Sequence, residues 1–364
     1  MDLCFRMEGM GLGDGESVKA NIMFKNILII RTDRIGDVIL TTPSIKALRQ
    51  GFPKARISIL VAKPMDELVR GNPDLDDILI DDRQKEHKGI RGFGKLVSKI
   101  RAKKFDAAVI FHTKRRANLL CFLAGIPVRV GYKNDKFGFL LNHPVEDRRH
   151  WGEQHESQYC LDLVKHLGAG EVPLENLYVS IQNESERWAE HYFKEQDLKS
   201  HDLVFAFHLG ASDPSKCWPA QDFGRLMERL IEKYSCAVIL VGSSEMAGAS
   251  LAAASKLQGK VLDLTGKTSL SQLVSVIKRC HLLVSNDSGP VHIAAAVKTP
   301  VVSIFTRNQP GINPQRWRPL GKFSKYVTVA PEQEMSFKKA GPVDQRYLEQ
   351  IAPQTVFDAI QTIL

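Results

Sequence analysis

The chain is expected to be an α/β protein made of two doubly wound, Rossmann-like domains that face a central cleft. Three observations predict this. Near-continuous apolar runs such as Asn26–Arg31 (NILIIR) and Leu203–His208 (LVFAFH) are what a parallel strand buried on both faces requires. They alternate with segments of helical length, the pattern of successive βαβ units. The alternation weakens once, between Glu146 and Lys199, and then restarts, which places the inter-domain connection there. A length of 364 residues agrees with two domains. The expected boundaries are residues 23–185 for the first domain and 200–364 for the second. Residues 1–22, which hold Gly, Asp and Glu but no apolar core, are expected to be a disordered extension before Met23.

After the strand at Asn26–Arg31, a loop over Thr32–Asp37 leads to a helix from about Val38 to Gln50. Strands follow at Ile57–Val61 and Ile78–Ile80, with a short helix over Pro64–Gly71 between them. A basic helix, Gly94–Lys104, precedes the strand Phe105–Phe111 (FDAAVIF). In the second half, strand Leu203–His208 is followed by helix Gln221–Tyr234, strand Ala237–Val241, helix Met246–Leu257, strand Val261–Leu264 and helix Ser269–Cys280. The stretch His281–Phe305 reads as strand, tight polar loop, helix and strand, with Pro290 opening the helix as Pro favours. A last helix spans Pro353–Leu364.

Composition narrows the partners. The net charge of +9 and pI near 9.2 favour an anionic partner, such as a phosphorylated substrate, a nucleic acid or an anionic membrane surface. The six cysteines show no two-residue spacing, which argues against zinc and thioredoxin-type sites and fits a reducing cytosol. No apolar run approaches the ~20 residues needed to span a bilayer. No RNA-binding signature or interleaved aromatic pattern appears, so no nucleic-acid partner is expected.

Five loops at strand carboxyl ends carry candidate chemistry. In Arg31-Thr32-Asp33-Arg34-Ile35-Gly36-Asp37-Val38 the G-x-G-x-x-G spacing is missing, which counts against a nicotinamide enzyme. Asp37 follows a Gly at a helix start. Spacing alone favours a helix cap, and the same position suits a general base facing a cleft. The loop His208–Pro219 offers Gly210 and Ser212 for close approach and Lys216 as a compact charge suited to a diphosphate, with Trp218-Pro219 as packing. Val241-Gly242-Ser243-Ser244-Glu245 places an acid where ribose hydroxyls are often held. Thr265-Gly266-Lys267-Thr268 ends a further strand and faces a base through its backbone. In Ser285-Asn286-Asp287-Ser288-Gly289 a turn meets a helix N-terminus, which attracts phosphate.

RTDRIGDVILTTPSIKALR, the Gly210–Pro219 loop, LTGKTSL and above all SNDSGPVHIAAA resemble the family 9 glycosyltransferases, the ADP-heptose:lipopolysaccharide heptosyltransferases and their relatives. The resemblance runs from about residue 25 over nearly the whole chain. It implies a GT-B fold and inverting transfer from ADP-L-glycero-D-manno-heptose to the inner core of lipopolysaccharide, with no cofactor and no metal. By motif, Asp37 is the implied general base. Ser212, Lys216, Glu245, Thr268, Asp287, Ser288, Gly289 and His292 are the implied donor-binding residues, which makes the second domain the nucleotide-sugar-binding one. The family often continues Gly-Pro-Thr after the last strand, where this chain reads Thr306-Arg307-Asn308-Gln309, and Glu245 sits one residue earlier than in some members.

The first domain is then the acceptor-binding one. Lys114, Arg115 and Arg116 directly follow the FDAAVIF strand and are expected to reach the acceptor, a sugar rich in phosphate and carboxylate. Further basic residues from Lys85 to Lys104 read either as a solvated helix face or as a peripheral contact with the anionic cytoplasmic face of the inner membrane. The expected location is therefore cytoplasmic. Two alternatives remain at this point. One is a GT-B enzyme with another donor or acceptor, since fold does not set substrate. The other is a non-catalytic nucleotide- or RNA-binding protein.

Overall fold

The computed structural model describes residues 24–198, 203–330 and 351–364; the extension expected at residues 1–22 lies outside them. In the first half, β1 (Asn26–Ile30), β2 (Arg56–Ala62), β3 (Asp77–Asp81), β4 (Ala107–Ile110), β5 (Val128–Tyr132) and β6 (His143–Val145) pair in the order β3-β2-β1-β4-β5-β6. In the second, β7 (Val204–His208), β8 (Ala237–Leu240), β9 (Val261–Asp263), β10 (Leu282–Asn286), β11 (Val301–Phe305) and β12 (Ser324–Thr328) pair in the order β12-β11-β10-β7-β8-β9. All of these pairings are parallel. Counted from its own first strand, the second sheet repeats the order of the first. Winding therefore reverses between β1 and β4, and again between β7 and β10. Open parallel sheets bind ligands at such reversals, beyond the strand carboxyl ends.

The helices are α1 (Ile35–Gly51), α2 (Asp66–Val69), α3 (Gly89–Ala102), α4 (Arg115–Leu123), α5 (Glu156–Lys165), α6 (Asn183–Glu195), α7 (Ala220–Tyr234), α8 (Ala247–Ala254), α9 (Leu270–Arg279), α10 (Gly289–Val297), α11 (Pro314–Trp317) and α12 (Pro353–Gln361). The apolar strands are buried on both faces. Ile27 and Ile29 join one core, while Leu28 and Ile30 point the other way into a core built from α3 and α4. Val204 and Ala206 likewise oppose Phe205 and Phe207. The core of Ile27 and Ile29 runs unbroken into that of Val204 and Ala206, so the two halves share apolar packing.

The segment between the sheets is divided rather than a plain connection. Helix α5 packs on α1, whereas α6 packs on α9 of the second half. Helix α9 is capped twice. Ser269 and Gln272 form a reciprocal capping box, and Glu67 of the first half accepts from the backbone N of Ser271 at 2.8 Å. Among the described residues no helix is long and apolar enough to cross a membrane.

Several boundaries differ from expectation for identifiable reasons. Helix α1 starts at Ile35, not Val38, because Arg34 is extended and its N–H donates to Asp37 Oδ2 at 3.3 Å. Strand β10 continues through Ser285 and Asn286, which pair with β11, so the polar turn shrinks to Asp287 and Ser288. The expected helix over Met246–Leu257 is a 3₁₀ turn at Ser244–Met246 followed by the shorter α8.

Candidate active site

The loops after β1, β7 and β10, all next to a winding reversal, converge on a cleft of about 100 Å³. Its walls include Arg34, Gly36 and Asp37 from the first half, and Ser212, Lys216, Asp287, Ser288, Gly289, His292 and Trp317 from the second. Two helix N-termini, those of α1 and α10, meet there at very short range. A Cβ on Gly36 would lie 2.6 Å from His292 Cδ2, and one on Gly289 would lie 2.7 Å from Ile35 Cβ. Glycine at both positions lets the helix starts touch and directs backbone N–H groups at one small volume, an arrangement that favours an anion.

On the first-half side, Asp37 accepts from Arg31 Nη2 at 2.7 Å through Oδ1 and from the Arg34 backbone through Oδ2. The capping role and a place in the cleft thus coexist. Burial pushes the Asp37 carboxyl above the ordinary range, against Arg31, with Asp33 and Glu156 adding to the rise. Its neighbour behaves oppositely. Burial opposes ionisation of Asp33, yet His112, Arg31 and Lys114 hold it at about 2. Two acids four residues apart are therefore driven apart in proton affinity, the usual mark of a division of labour between carboxylates.

On the second-half side, Lys216 Nζ meets Asp287 Oδ2 at 2.5 Å, with the Asp287 side chain only 8% exposed. The turn that carries Lys216 is built locally and braced from afar. Asp213 caps it by accepting from Ser215 N at 2.9 Å, while Thr306 and Arg307 donate to the Ser215 carbonyl and hydroxyl. The Thr306-Arg307 departure from the family pattern thus supports the turn that carries Lys216. Asn286 ties the same loop to β10, accepting from Trp218 N at 2.9 Å and donating to Leu209 O at 2.6 Å. The Ser288 hydroxyl is engaged below the sheet end, 2.9 Å from Ser285 Oγ and 3.1 Å from His208 Nδ1. That leaves the backbone at Ser288 and Gly289 as what this turn offers a ligand. Burial pushes His292 down to about 3, aided by His155 and Lys216, so the ring is neutral near pH 7. Ser212 accepts from Arg34 Nη1 at 2.6 Å, a hydrogen bond that crosses the cleft.

Of the residues singled out from sequence, Asp37, Ser212, Lys216, Asp287, Ser288, Gly289 and His292 share this cleft. Glu245 and Thr268 do not line it; they follow β8 and β9, farther from the winding reversal. Lys114 pairs with Asp33 beside the Asp37 loop. Arg115 is exposed, with its guanidinium 5.8 Å from the Phe137 ring. Arg116 is committed elsewhere, forking onto Asp81 at 2.9 and 2.8 Å over the Phe93 ring. Sequence reasoning missed Arg34, Trp317, Glu156 and Arg316. Glu156 lies in the stretch read as a connection, and no local pattern marks it. Among the described residues no group of three or more His, Cys, Asp or Glu side chains is placed to hold a metal ion.

Two Rossmann-like units closing on an acid from one and a cation with a helix N-terminus from the other have the GT-B architecture. The sequence profile described as Glycosyltransferase family 9 (heptosyltransferase) matches residues 93–346, and the chain belongs to that family. It is 27% identical over 349 residues to lipopolysaccharide heptosyltransferase 2 of Escherichia coli (strain K12), covering 93% of this chain and 98% of that one. In fold it is similar to the family 9 glycosyl transferase from Veillonella parvula, with a TM-score of 0.83 at 23% identity, over 93% and 97% of the two chains. It is also similar to the E. coli ADP-heptose LPS heptosyltransferase II, with a TM-score of 0.74 at 23% identity, over 93% and 98%.

Proposed function

We propose that this chain transfers heptose, with inversion, from ADP-L-glycero-D-manno-heptose to the inner core of lipopolysaccharide, and that Asp37 is the general base. The observation that carries the reading is the meeting in one cleft of an acid of raised proton affinity with a lysine and the N-terminus of α10. In this mechanism Asp37 takes the proton of an acceptor hydroxyl as that oxygen bonds to the anomeric carbon. The bond from that carbon to the diphosphate breaks from the opposite face, and ADP departs. Lys216 and the N–H groups at Ser288 and Gly289 take up the charge that develops on the diphosphate. Asp33, held ionised with Lys114, is poorly suited to accept a proton, which favours Asp37 for that role. Lys114 and Arg115 are assigned to the anionic acceptor, and Glu245 and Thr268 to the nucleoside end of the donor.

The test is ADP release from ADP-L-glycero-D-manno-heptose in the presence of heptose-truncated lipopolysaccharide. Turnover of another nucleotide sugar in its place would move the assignment to a different donor. ADP binding with no turnover of any acceptor would leave only a nucleotide-binding protein.

The enzyme is further proposed to work at the anionic cytoplasmic face of the inner membrane. The exposed side of α3 supports this, because Ile90 (92% exposed) lies beside exposed Lys88 and Arg91, with exposed Lys95 and Lys99 farther along the same helix. Each basic residue near such a surface is worth about 1 kcal/mol. The protein should sediment with phosphatidylserine-containing vesicles at low salt and be released at high salt; a protein that stays in the supernatant at low salt counts against the contact.

A further inference from the structure

A buried chain of charges runs from the second half of the molecule to the proposed base. Arg316, on α11, donates from Nε and Nη2 to Glu156 Oε2 at 2.9 and 2.7 Å. The other oxygen, Oε1, accepts from Arg31 Nη2 at 2.9 Å, and that same nitrogen donates to Asp37 Oδ1 at 2.7 Å. The side chains of Arg31 and Glu156 are each 1% exposed. Arg31 has no slack, because Nη1 donates to Phe111 O at 2.8 Å and Nε to Asp37 O at 3.2 Å. Arg316 is seated as firmly, with Nη1 donating to Arg149 O at 2.9 Å and Gly311 O at 3.3 Å. The loop between β11 and α11 is thereby held on the segment over 147–156. His155 Nε2 lies 2.9 Å from Arg318 O, and a Cβ on Gly152 would lie 2.7 Å from Gly311 N.

A buried carboxylate needs its charge answered, and removing one partner of such a group leaves the remainder to find another. Arg31 serves two carboxylates with one nitrogen. Glu156 accepts side-chain hydrogen bonds from Arg316 and Arg31, with Arg149 adding its charge from farther off, so losing Arg316 shifts more of the load onto Arg31, at the expense of Asp37. We propose that Arg316, Glu156 and Arg31 are positioning residues that set the orientation and basicity of Asp37, and that they do so only while the β11–α11 loop is seated against segment 147–156. The inference rests on the reading of Asp37 as the base.

The groups that face Asp37 can be named from every side. Arg31 directly follows β1, and Asp33 and Arg34 come from the loop that also carries Asp37. Glu156 comes from α5, where Cys160 faces Arg31, and Lys216, Asp287 and His292 lie across the cleft. Behind these, Arg149, Arg316 and His155 face Glu156, and Lys114 and His112 face Asp33. Despite its burial, Glu156 is held below the ordinary carboxylate range by Arg316, Arg31 and Arg149, so it carries its charge at neutral pH.

The experiment is the pH profile of acceptor kcat/KM for the wild type, Glu156→Gln, Arg316→Met, Arg316→Lys and Asp37→Asn, using ADP-L-glycero-D-manno-heptose and heptose-truncated lipopolysaccharide. A base must be ionised, so activity falls as pH drops through the pKa of Asp37. Glu156→Gln removes a neighbouring negative charge, lowers that pKa and moves the acid limb down by about one pH unit. Arg316→Met leaves Glu156 leaning on Arg31 and moves the limb up by a similar amount; Arg316→Lys falls between. Donor KM stays near the wild-type value, since none of the three residues is assigned to the donor. Limbs that coincide with the wild type, or that move in the same direction in Glu156→Gln and Arg316→Met, overturn the proposal. Where Arg316→Met does not fold, the near-isosteric Glu156→Gln decides alone: a downward shift supports the coupling and an unmoved limb ends it. Full turnover by Asp37→Asn would instead sink the base assignment itself, whatever the other profiles show.

Discussion

Asp37→Asn is expected to lower kcat by about 10²–10⁴-fold, the usual contribution of a positioned base, while ADP binds nearly as in the wild type. The asparagine's single carbonyl oxygen can still accept from Arg31, the buried partner, and only the 3.3 Å contact with the Arg34 N–H at the helix start is given up. The variant should therefore fold, and the loss should lie in the proton transfer. Single-turnover rates and ADP titration calorimetry separate the two effects. A variant that retains even a tenth of the wild-type rate would show that another group takes the proton. The ionised neighbour Asp33 would then be the next candidate, although its depressed pKa of about 2 makes it a weak acceptor.

Lys216→Met should cost about 10²–10³-fold in kcat, the range found when one preorganised donor to a developing anion is removed, and should weaken ADP binding as well. The reason lies in its partner. Asp287 sits 2.5 Å from the lysine and is nearly buried, so losing the cation leaves a bare carboxylate beside the proposed diphosphate site. Repulsion then adds to the lost attraction. The double variant Lys216→Met/Asp287→Asn should consequently bind ADP more tightly than Lys216→Met alone, though less tightly than the wild type. If Lys216→Met binds and turns over donor normally, the lysine is only a structural partner of Asp287.

Both experiments probe pairings that join distant parts of the chain, and this is where sequence and structure divide. The buried strands were legible, because a strand covered on both faces is apolar along its length, as Ile27–Ile30 and Val204–Phe207 are. β5, β6 and β12 were not. β6 is only His143–Val145 and contains a proline, β5 carries Arg129 and Gly131, and β12 is largely exposed. Their pairing depends on a neighbour already in place, which no local window reveals.

The site follows the same division. Loops with Gly, an acid or a lysine directly after an apolar run are local signals, and the order of strands brings three of them to the two winding reversals. Sequence alone therefore determined the fold class, the family and most of the residues around the cleft. Only the tertiary structure decided what each of them touches: Lys216 on Asp287, Arg34 on Ser212 across the cleft, and Arg316 through Glu156 and Arg31 to Asp37. Helix and strand propensities act over a few residues, whereas these contacts are set by how two sheets and the helices between them pack. The charge state of Asp37 is consequently a property of the assembled core and not of its own loop.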